Sequence, residues 1–186
     1  MNENLVLNTI KARFSCRGYD GRPIEREKIE AMVLAALQAP SAMNLQPWKI
    51  IVITDKTLVD EMDAAAMTVL AANPDQTSYN RFMERGGKIF YNAPCLFLVM
   101  KDAKAKWGDL DCGIVTQNIA LAASSLGLDN VIVGMAAIPF NSPAGDDFKK
   151  RIGWPDGYEF GMGVCVGYGN APKAPHEIDL EKVSYV

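Results

Sequence analysis

Two short segments carry residues whose types and spacing suit an anionic, planar ligand. The first spans residues 13–19, Arg-Phe-Ser-Cys-Arg-Gly-Tyr. If the preceding helix continues through it, Arg13 and Arg17 lie one turn apart on one side and can converge on one phosphate. Ser15 between them adds a hydroxyl. The alternative is a pair of solvated arginines on the surface.

The second segment spans residues 39–48, Ala-Pro-Ser-Ala-Met-Asn-Leu-Gln-Pro-Trp. Its two prolines fix the backbone in an extended loop. Asn44 and Gln46 each offer a donor and an acceptor, which suits a flat heterocycle with imide-like edges. The alternative is an ordinary connection from a helix to a strand.

The chain lacks a reactive group of its own. It contains a single histidine, His176, and four scattered cysteines without a CxxC pair, so a zinc site and a disulfide framework are not expected. Cys16 lies next to cations, and a lowered thiol pKa there is conceivable. The glycines of 161–169 lie in an apolar strand pattern rather than in a GxGxxG loop. We therefore expect a cofactor to bring the chemistry.

Composition limits the class of protein. The chain has 186 residues, of which 49% are hydrophobic and 22% charged, as expected for one globular domain over residues 1–186. A net charge of −3 gives no indication of nucleic-acid binding. The N-terminus lacks a signal-peptide pattern and no run suits a membrane span, so a cytoplasmic protein is expected.

Apolar periodicity predicts an α+β fold with a central mixed or antiparallel sheet flanked by helices. Helices are predicted over residues 3–12, 23–39, 56–72, 79–90, 108–127 and 142–152, and strands over 48–54, 95–100, 130–135 and 159–168.

Three further features leave alternatives open. The region 60–90 is expected to line or cover a pocket. Arg81, Arg85 and Lys88 give it a basic face. The alternative is a solvated helix surface, which is the favoured interpretation for Arg81. Small residues at 120–125 suit a dimer helix or dense packing within the chain. The tail 171–186 must either fray or lie along another element.

Both N-terminal segments, in this order and at this separation, resemble the two signatures of the FMN-dependent nitroreductase family. The resemblance implies a homodimer with two flavins at the subunit interface and a C-terminal tail exchanged between subunits. Flavin contacts are implied for the basic segment of one subunit and for the proline loop of its partner. These contacts are Arg13, Phe14, Ser15 and Arg17 in the first, and Pro40, Ser41, Ala42, Asn44 and Gln46 in the second.

The same resemblance implies further contacts and a reaction. Val133 and Gly134 would lie near flavin N5 and Lys173 near the phosphate, with His176 a weaker candidate, since the tail lacks the family's usual arginine. NADH or NADPH would pass a hydride to FMN, and a small aromatic acceptor, a nitroaromatic or a quinone, would then take its place. Alternatives are other flavin chemistry, a non-enzymatic flavin-binding or sensing protein, and an interaction protein.

Overall fold

The computed structural model describes residues 4–174 and 176–186. These ranges contain six α-helices and four β-strands. The helices are α1 Leu5–Ala12, α2 Arg26–Leu37, α3 Lys56–Ala71, α4 Thr77–Met83, α5 Gly108–Ser125 and α6 Gly145–Arg151. The strands are β1 Trp48–Ile53, β2 Cys95–Asp102, β3 Asp129–Val133 and β4 Tyr158–Gly167.

The four strands form one sheet in the order β1-β2-β4-β3, with every strand pair antiparallel. Ile50 lies opposite Val99, while Leu98 and Val133 both lie opposite Gly163. Of the two sheet types predicted, the antiparallel one is therefore confirmed.

The central strand β2 is buried on both faces because helices cover both sides of the sheet. Its side chains alternate between two apolar clusters, as the two-residue period of a strand requires. Leu96, Leu98 and Met100 join α3, α6 and the turn after β3 in one cluster. Cys95, Phe97 and Val99 join α2 and α5 in the other.

Several predicted element ends differ from the observed ones by a few residues, and the first helix does not continue into the basic segment. Helix α1 ends at Ala12 because Arg13 has extended backbone angles, so the two arginines do not share a helix face. Residue 3 lies outside the described residues. Helix α4 ends at Met83, before Gly86 and Gly87 adopt φ values of +92° and +70°. Strand β3 ends at Val133, and Gly134 begins a 3-10 segment that continues to Asn141.

The prediction that a strand glycine allows close backbone approach is confirmed at Gly163. A Cβ atom there would lie 2.6 Å from Cβ of Ala136 and 2.9 Å from the carbonyl oxygen of Val133. The missing side chain therefore lets the 3-10 segment pack onto β4 directly behind the end of β3. No helix among the described residues is long and apolar enough to cross a membrane.

Candidate functional site

The basic segment lies in extended form along the outer edge of β3. The amide of Cys16 donates to the carbonyl of Asn130 at 3.0 Å. The Tyr19 hydroxyl, which is buried, lies 3.2 Å from the carbonyls of both Cys16 and Cys165. Tyr19 also donates its amide to the carbonyl of Tyr91 at 3.2 Å. These contacts hold the backbone on both sides of Arg17.

A small basic pocket of about 90 Å³ lies between this segment and the tail. Its lining includes the predicted phosphate ligands Arg13, Phe14, Ser15, Arg17 and Lys173, together with Ala174 and His176. No carboxylate lines it, and no carboxylate of the described residues lies within 4.0 Å of its arginines or its lysine. Its uncompensated positive charge suits an anion such as a phosphate.

A second cavity of about 180 Å³ lies on the other side of Arg17, at the end of β3. Val133 and Gly134 line it, as predicted from strand order, and Arg17 lines both this cavity and the basic pocket. The remaining wall comes from the α4 region and from the residues around β3, namely Ser78, Arg81, Phe82, Arg85, Tyr91, Val131, Ile132 and Met135. The anion pocket and the larger cavity thus share one lining residue, Arg17.

The basic face predicted for residues 81–88 divides in the structure. Arg81 and Arg85 line the cavity, and both are exposed, so the solvated position expected for Arg81 is confirmed at the rim of that cavity. Lys88 does not line it, because its ammonium lies 2.6 Å from Oδ1 of Asp60 and 3.5 Å from Oδ1 of Asn92.

The turn that carries Tyr91 into the cavity wall depends on Asp63. Tyr91 and Asn92 have φ values of +54° and +65°, a conformation that needs support from neighbours. Asp63 is only 2% exposed, and its Oδ1 accepts a hydrogen bond from the Phe90 amide at 2.9 Å. Its Oδ2 has no hydrogen-bond partner among the described residues. Burial raises the pKa of this carboxyl from its ordinary 3.8 to about 6.

The proline loop lies at the opposite edge of the sheet, directly before β1. Met43, Asn44 and Gln46 all have positive φ values, of 51°, 54° and 47°. Oδ1 of Asp111, a buried residue of α5, accepts from the Ala42 amide at 3.1 Å, and Ser41 Oγ accepts from the Gln46 amide at 2.9 Å. The loop is therefore rigidly held, yet none of its residues lines either cavity described above.

One chain does not bring its two signature segments together. At a strand spacing of about 4.8 Å, the edge strands β1 and β3 are about 14 Å apart across the sheet.

Asp63 and Asp111 were missed by sequence reasoning. The available signal was an acidic side chain on an otherwise apolar helix face, which for Asp63 consists of Val59, Met62, Ala66 and Leu70.

Cys16 is not a candidate nucleophile. Its side chain is fully buried, with Sγ 3.2 Å from the carbonyl oxygen of Gly18. Burial raises the pKa of its thiol above the ordinary value, so the possibility of a lowered pKa is wrong. The thiol fills space behind the segment whose arginines face the pocket.

The fold and the basic pocket define an α+β protein with a site suited to an anion such as a phosphate. The family model described as "Nitroreductase family" matches residues 10–168, and the chain belongs to that family. The structure has the nitroreductase-like fold, and the protein is an oxidoreductase.

Three relatives illustrate the likeness. A nitroreductase with bound FMN from Desulfitobacterium hafniense is 44% identical, with a TM-score of 0.94 and 99% of each chain covered. A nitroreductase with bound FMN from Bacteroides fragilis is 26% identical, with a TM-score of 0.86 and coverage of 99% of this chain and 100% of the other. An Archaeoglobus fulgidus protein with the provisional name NADH dehydrogenase/NAD(P)H nitroreductase is 30% identical over 93% of this chain and 90% of its own.

Proposed function

We propose that this protein is an FMN-dependent NAD(P)H oxidoreductase that reduces nitroaromatics or quinones in two half-reactions at one site. The observation that carries the proposal is the position of Arg17, which lines both the anion pocket and the cavity at the end of β3. A ligand with a phosphate at one end and a polar ring at the other would meet Arg17 from both cavities. The FMN-bound relatives support the same assignment.

The residues present fit FMN. Arg13, Arg17 and Lys173 supply three cations and Ser15 a hydroxyl for a phosphate, a combination that favours charge-assisted hydrogen bonds. The backbone of Val133 and Gly134 borders the larger cavity, where a ring could approach closely because Gly134 has no side chain. Bound FMN would supply the redox chemistry, taking a hydride from the nicotinamide and passing it to the acceptor.

The chain's own residues then bind and orient. The basic pocket fixes the phosphate end, and Arg17 places positive charge beside the ring, where it favours added electron density. Asp63 holds the Phe90 amide and thereby the turn that carries Tyr91 into the cavity wall. We assign catalysis to no side chain, because the cavity lining contains no cysteine, histidine or carboxylate among the described residues.

We further propose that the working unit is a homodimer in which the proline loop of one subunit completes the site of the other. The loop and the basic segment lie at opposite sheet edges, so a single chain cannot apply both to one ring. The two cavities, of about 90 and 180 Å³, are also smaller than the roughly 300–1,000 Å³ of a pocket that encloses a ligand of this size. A second copy would supply the missing wall.

Exposed apolar side chains support the dimer. On α1, Leu5 is 77% and Val6 64% exposed; on α2, Leu34 is 61% exposed; and on α5, Leu110 is 63% exposed. These helices lie on one side of the sheet, and α5 contacts both of the others. Apolar residues clustered on one face of a protein mark a binding surface.

Tail exchange is part of the same proposal. Among the described residues, β1 pairs with β2 alone, which leaves its other edge free. Two cavities of about 590 and 320 Å³ include Val52 and Thr54, at the end of β1, in their lining. The tail carries exposed apolar side chains, including Ile178 and Tyr185, which would be buried if a partner's tail lay along β1.

The proposal is tested by the visible spectrum of the purified protein and an anaerobic titration with NADPH and NADH. We expect bound FMN that is bleached by a nicotinamide donor and recovers on addition of menadione or a nitrofuran. A flavoprotein that stays yellow with both donors would be a binding or sensing protein. A colourless protein that takes up no added FMN would contradict the proposal altogether.

A further inference from the structure

Two arginines on the rim of the larger cavity have no role in the phosphate pocket. Arg81 lies in the last turn of α4, and Arg85 follows four residues later. Both line the cavity together with Val133 and Gly134. Neither lines the basic pocket, so their charge faces the place where a donor or acceptor would meet the flavin ring.

These arginines are held in place by the element that carries them. Phe82, between them in sequence, is buried and packs against Tyr91 with ring centroids 5.9 Å apart. The Arg85 amide donates to the carbonyl of Phe82 at 2.9 Å. A packed aromatic anchor therefore fixes the backbone from which the two exposed arginines extend.

The charge on this rim is uncompensated. No carboxylate of the described residues lies within 4.0 Å of Arg81 or Arg85, although eleven other ion pairs form within those ranges. The cavity lining contains no acidic residue. In a chain of net charge −3, arginines gathered at one cavity create a local positive potential that attracts anions.

We propose, resting on the proposed function, that Arg81 and Arg85 select redox partners that carry an anionic substituent. The shared chemistry is a carboxylate, sulfonate or phosphate attached to a flat molecule that enters beside Val133 and Gly134. Such a group could belong to the acceptor, as in a nitrobenzoate, or to the donor, as in the 2′-phosphate of NADPH. A guanidinium suits all of these because it donates two parallel hydrogen bonds.

The test compares 4-nitrobenzoate with its neutral isostere 4-nitrobenzamide on the FMN-loaded protein. Binding is measured by calorimetry, and turnover with each ligand is measured separately. Arg81→Gln/Arg85→Gln should bind 4-nitrobenzoate about 10-fold more weakly, as two exposed ion pairs of ~0.7 kcal/mol each would give. Measured on the FMN-loaded variant, its affinity for 4-nitrobenzamide should fall much less, so that the ratio of the two affinities changes. In the unmodified protein, added salt should weaken binding of 4-nitrobenzoate selectively.

Lys104→Gln/Lys150→Gln is the matched control, because it removes two exposed lysines that line neither cavity and changes the net charge equally. It should bind both ligands like the unmodified protein. A donor comparison separates the two sources of charge. If the arginine variant loses affinity for NADPH but not for NADH, the anionic group belongs to the donor; if it loses 4-nitrobenzoate alone, the group belongs to the acceptor.

Three results would overturn the inference. The first is that the unmodified protein binds the charged and neutral ligands equally well and also binds both nicotinamides equally well. The others are an equal loss of affinity for all ligands in the arginine variant, or loss of FMN from that variant. Since calorimetry needs no turnover, a protein that binds 4-nitrobenzoate selectively but reduces nothing would remove the proposed reductase function and leave the selection by Arg81 and Arg85 intact.

Discussion

Arg17 is the residue at which the two cavities of one chain meet, and its surroundings explain why it can face both. Extended backbone on the edge of β3 carries it, and hydrogen bonds from Cys16 to Asn130 and from Tyr19 to Tyr91 fix that backbone. Its Nη1 lies 3.3 Å from the carbonyl oxygen of Ser15. Arg17 therefore contributes to ligand binding rather than to the core.

Replacing Arg17 should remove FMN without unfolding the protein. A hydrogen bond to a charged group is worth about 1.5–3 kcal/mol, so Arg17→Ala should weaken FMN binding by about 10- to 100-fold. Fluorescence titration of apoprotein with FMN measures the loss, and circular dichroism checks the fold. Arg22→Ala, at an exposed arginine that lines neither cavity, is the control. Full yellow occupancy in Arg17→Ala would count against the assigned role.

Asp63 makes stability depend on pH. Its folded-state pKa of about 6 lies above the ordinary 3.8, so the folded protein favours the protonated form. The penalty for burying the charge is absent below about pH 3.8 and complete above about pH 6. At 1.36 kcal/mol per pKa unit, it reaches at most about 3 kcal/mol.

Asp63→Asn should therefore stabilise the protein at pH 7.5 by up to about 3 kcal/mol, and the gain should vanish near pH 4. The amide oxygen can still accept from Phe90, whereas Asp63→Ala removes that acceptor and should destabilise the protein by about 1–3 kcal/mol. Urea unfolding at several pH values measures both variants. Asp60→Asn, a change in the neighbouring half-exposed carboxylate, should show no such gain. A constant difference between Asp63→Asn and the parent across this pH range would refute the buried charge.

Among the elements, the proline loop shows how a local sequence is fixed by a distant residue. Three of its residues adopt positive φ, which costs about 1 kcal/mol or more for each side chain other than glycine. Asp111 on α5 offsets part of this strain by accepting from the Ala42 amide. We therefore regard Asp111 as a positioning residue for the loop.

Asp111→Ala should loosen the loop and weaken FMN binding by about 5-fold, the equivalent of one hydrogen bond of ~1 kcal/mol. Asp111→Asn retains an oxygen acceptor and should restore most of the affinity, an outcome that a purely structural defect would not give. Hydrogen exchange at the Ala42 amide should rise in the alanine variant alone. If neither variant changes FMN affinity, the loop does not depend on this contact.

Local sequence specified most of these elements because their apolar periods are strong. Strands β1, β2 and β4 and helices α2, α3 and α5 were predicted from such patterns, and their observed ends lie close to the predicted ones. The extended form of residues 13–19 was not predictable, since it depends on pairing with Asn130, far along the chain. Similarly, α4 is shorter than its helical spacing suggests because the glycines at 86 and 87 adopt left-handed backbone.

The candidate site was predictable to a different degree. The two cavities are lined by the motif residues of the basic segment, as predicted, and also by Val133, Gly134 and Lys173. The supporting carboxylates Asp63 and Asp111 were not predicted, because the amides that they accept from lie on other segments. Roles for the proline loop remain a prediction that depends on a second subunit.

At the scale of the whole molecule, the account depends on two copies of the chain. Leucines on α1, α2 and α5 and the tail side chains of Ile178 and Tyr185 are exposed, and the outer edge of β1 has no strand partner among the described residues. A dimer that buries them would also bring a proline loop to each pair of cavities. Stability, flavin binding and dimerisation should therefore be coupled, with FMN shifting the equilibrium towards the dimer.

The most direct test uses mixed dimers of two defective chains. One chain carries Arg17→Ala and the other Ser41→Arg, which places a bulky cation in the proline loop; each homodimer alone should bind little FMN. With two affinity tags, the heterodimer can be purified and its FMN content measured. If each site is built from both subunits, one of the two sites in the heterodimer combines the intact basic segment of the Ser41→Arg chain with the intact proline loop of the Arg17→Ala chain. We therefore predict one FMN per heterodimer. A heterodimer as empty as the two homodimers would contradict the account.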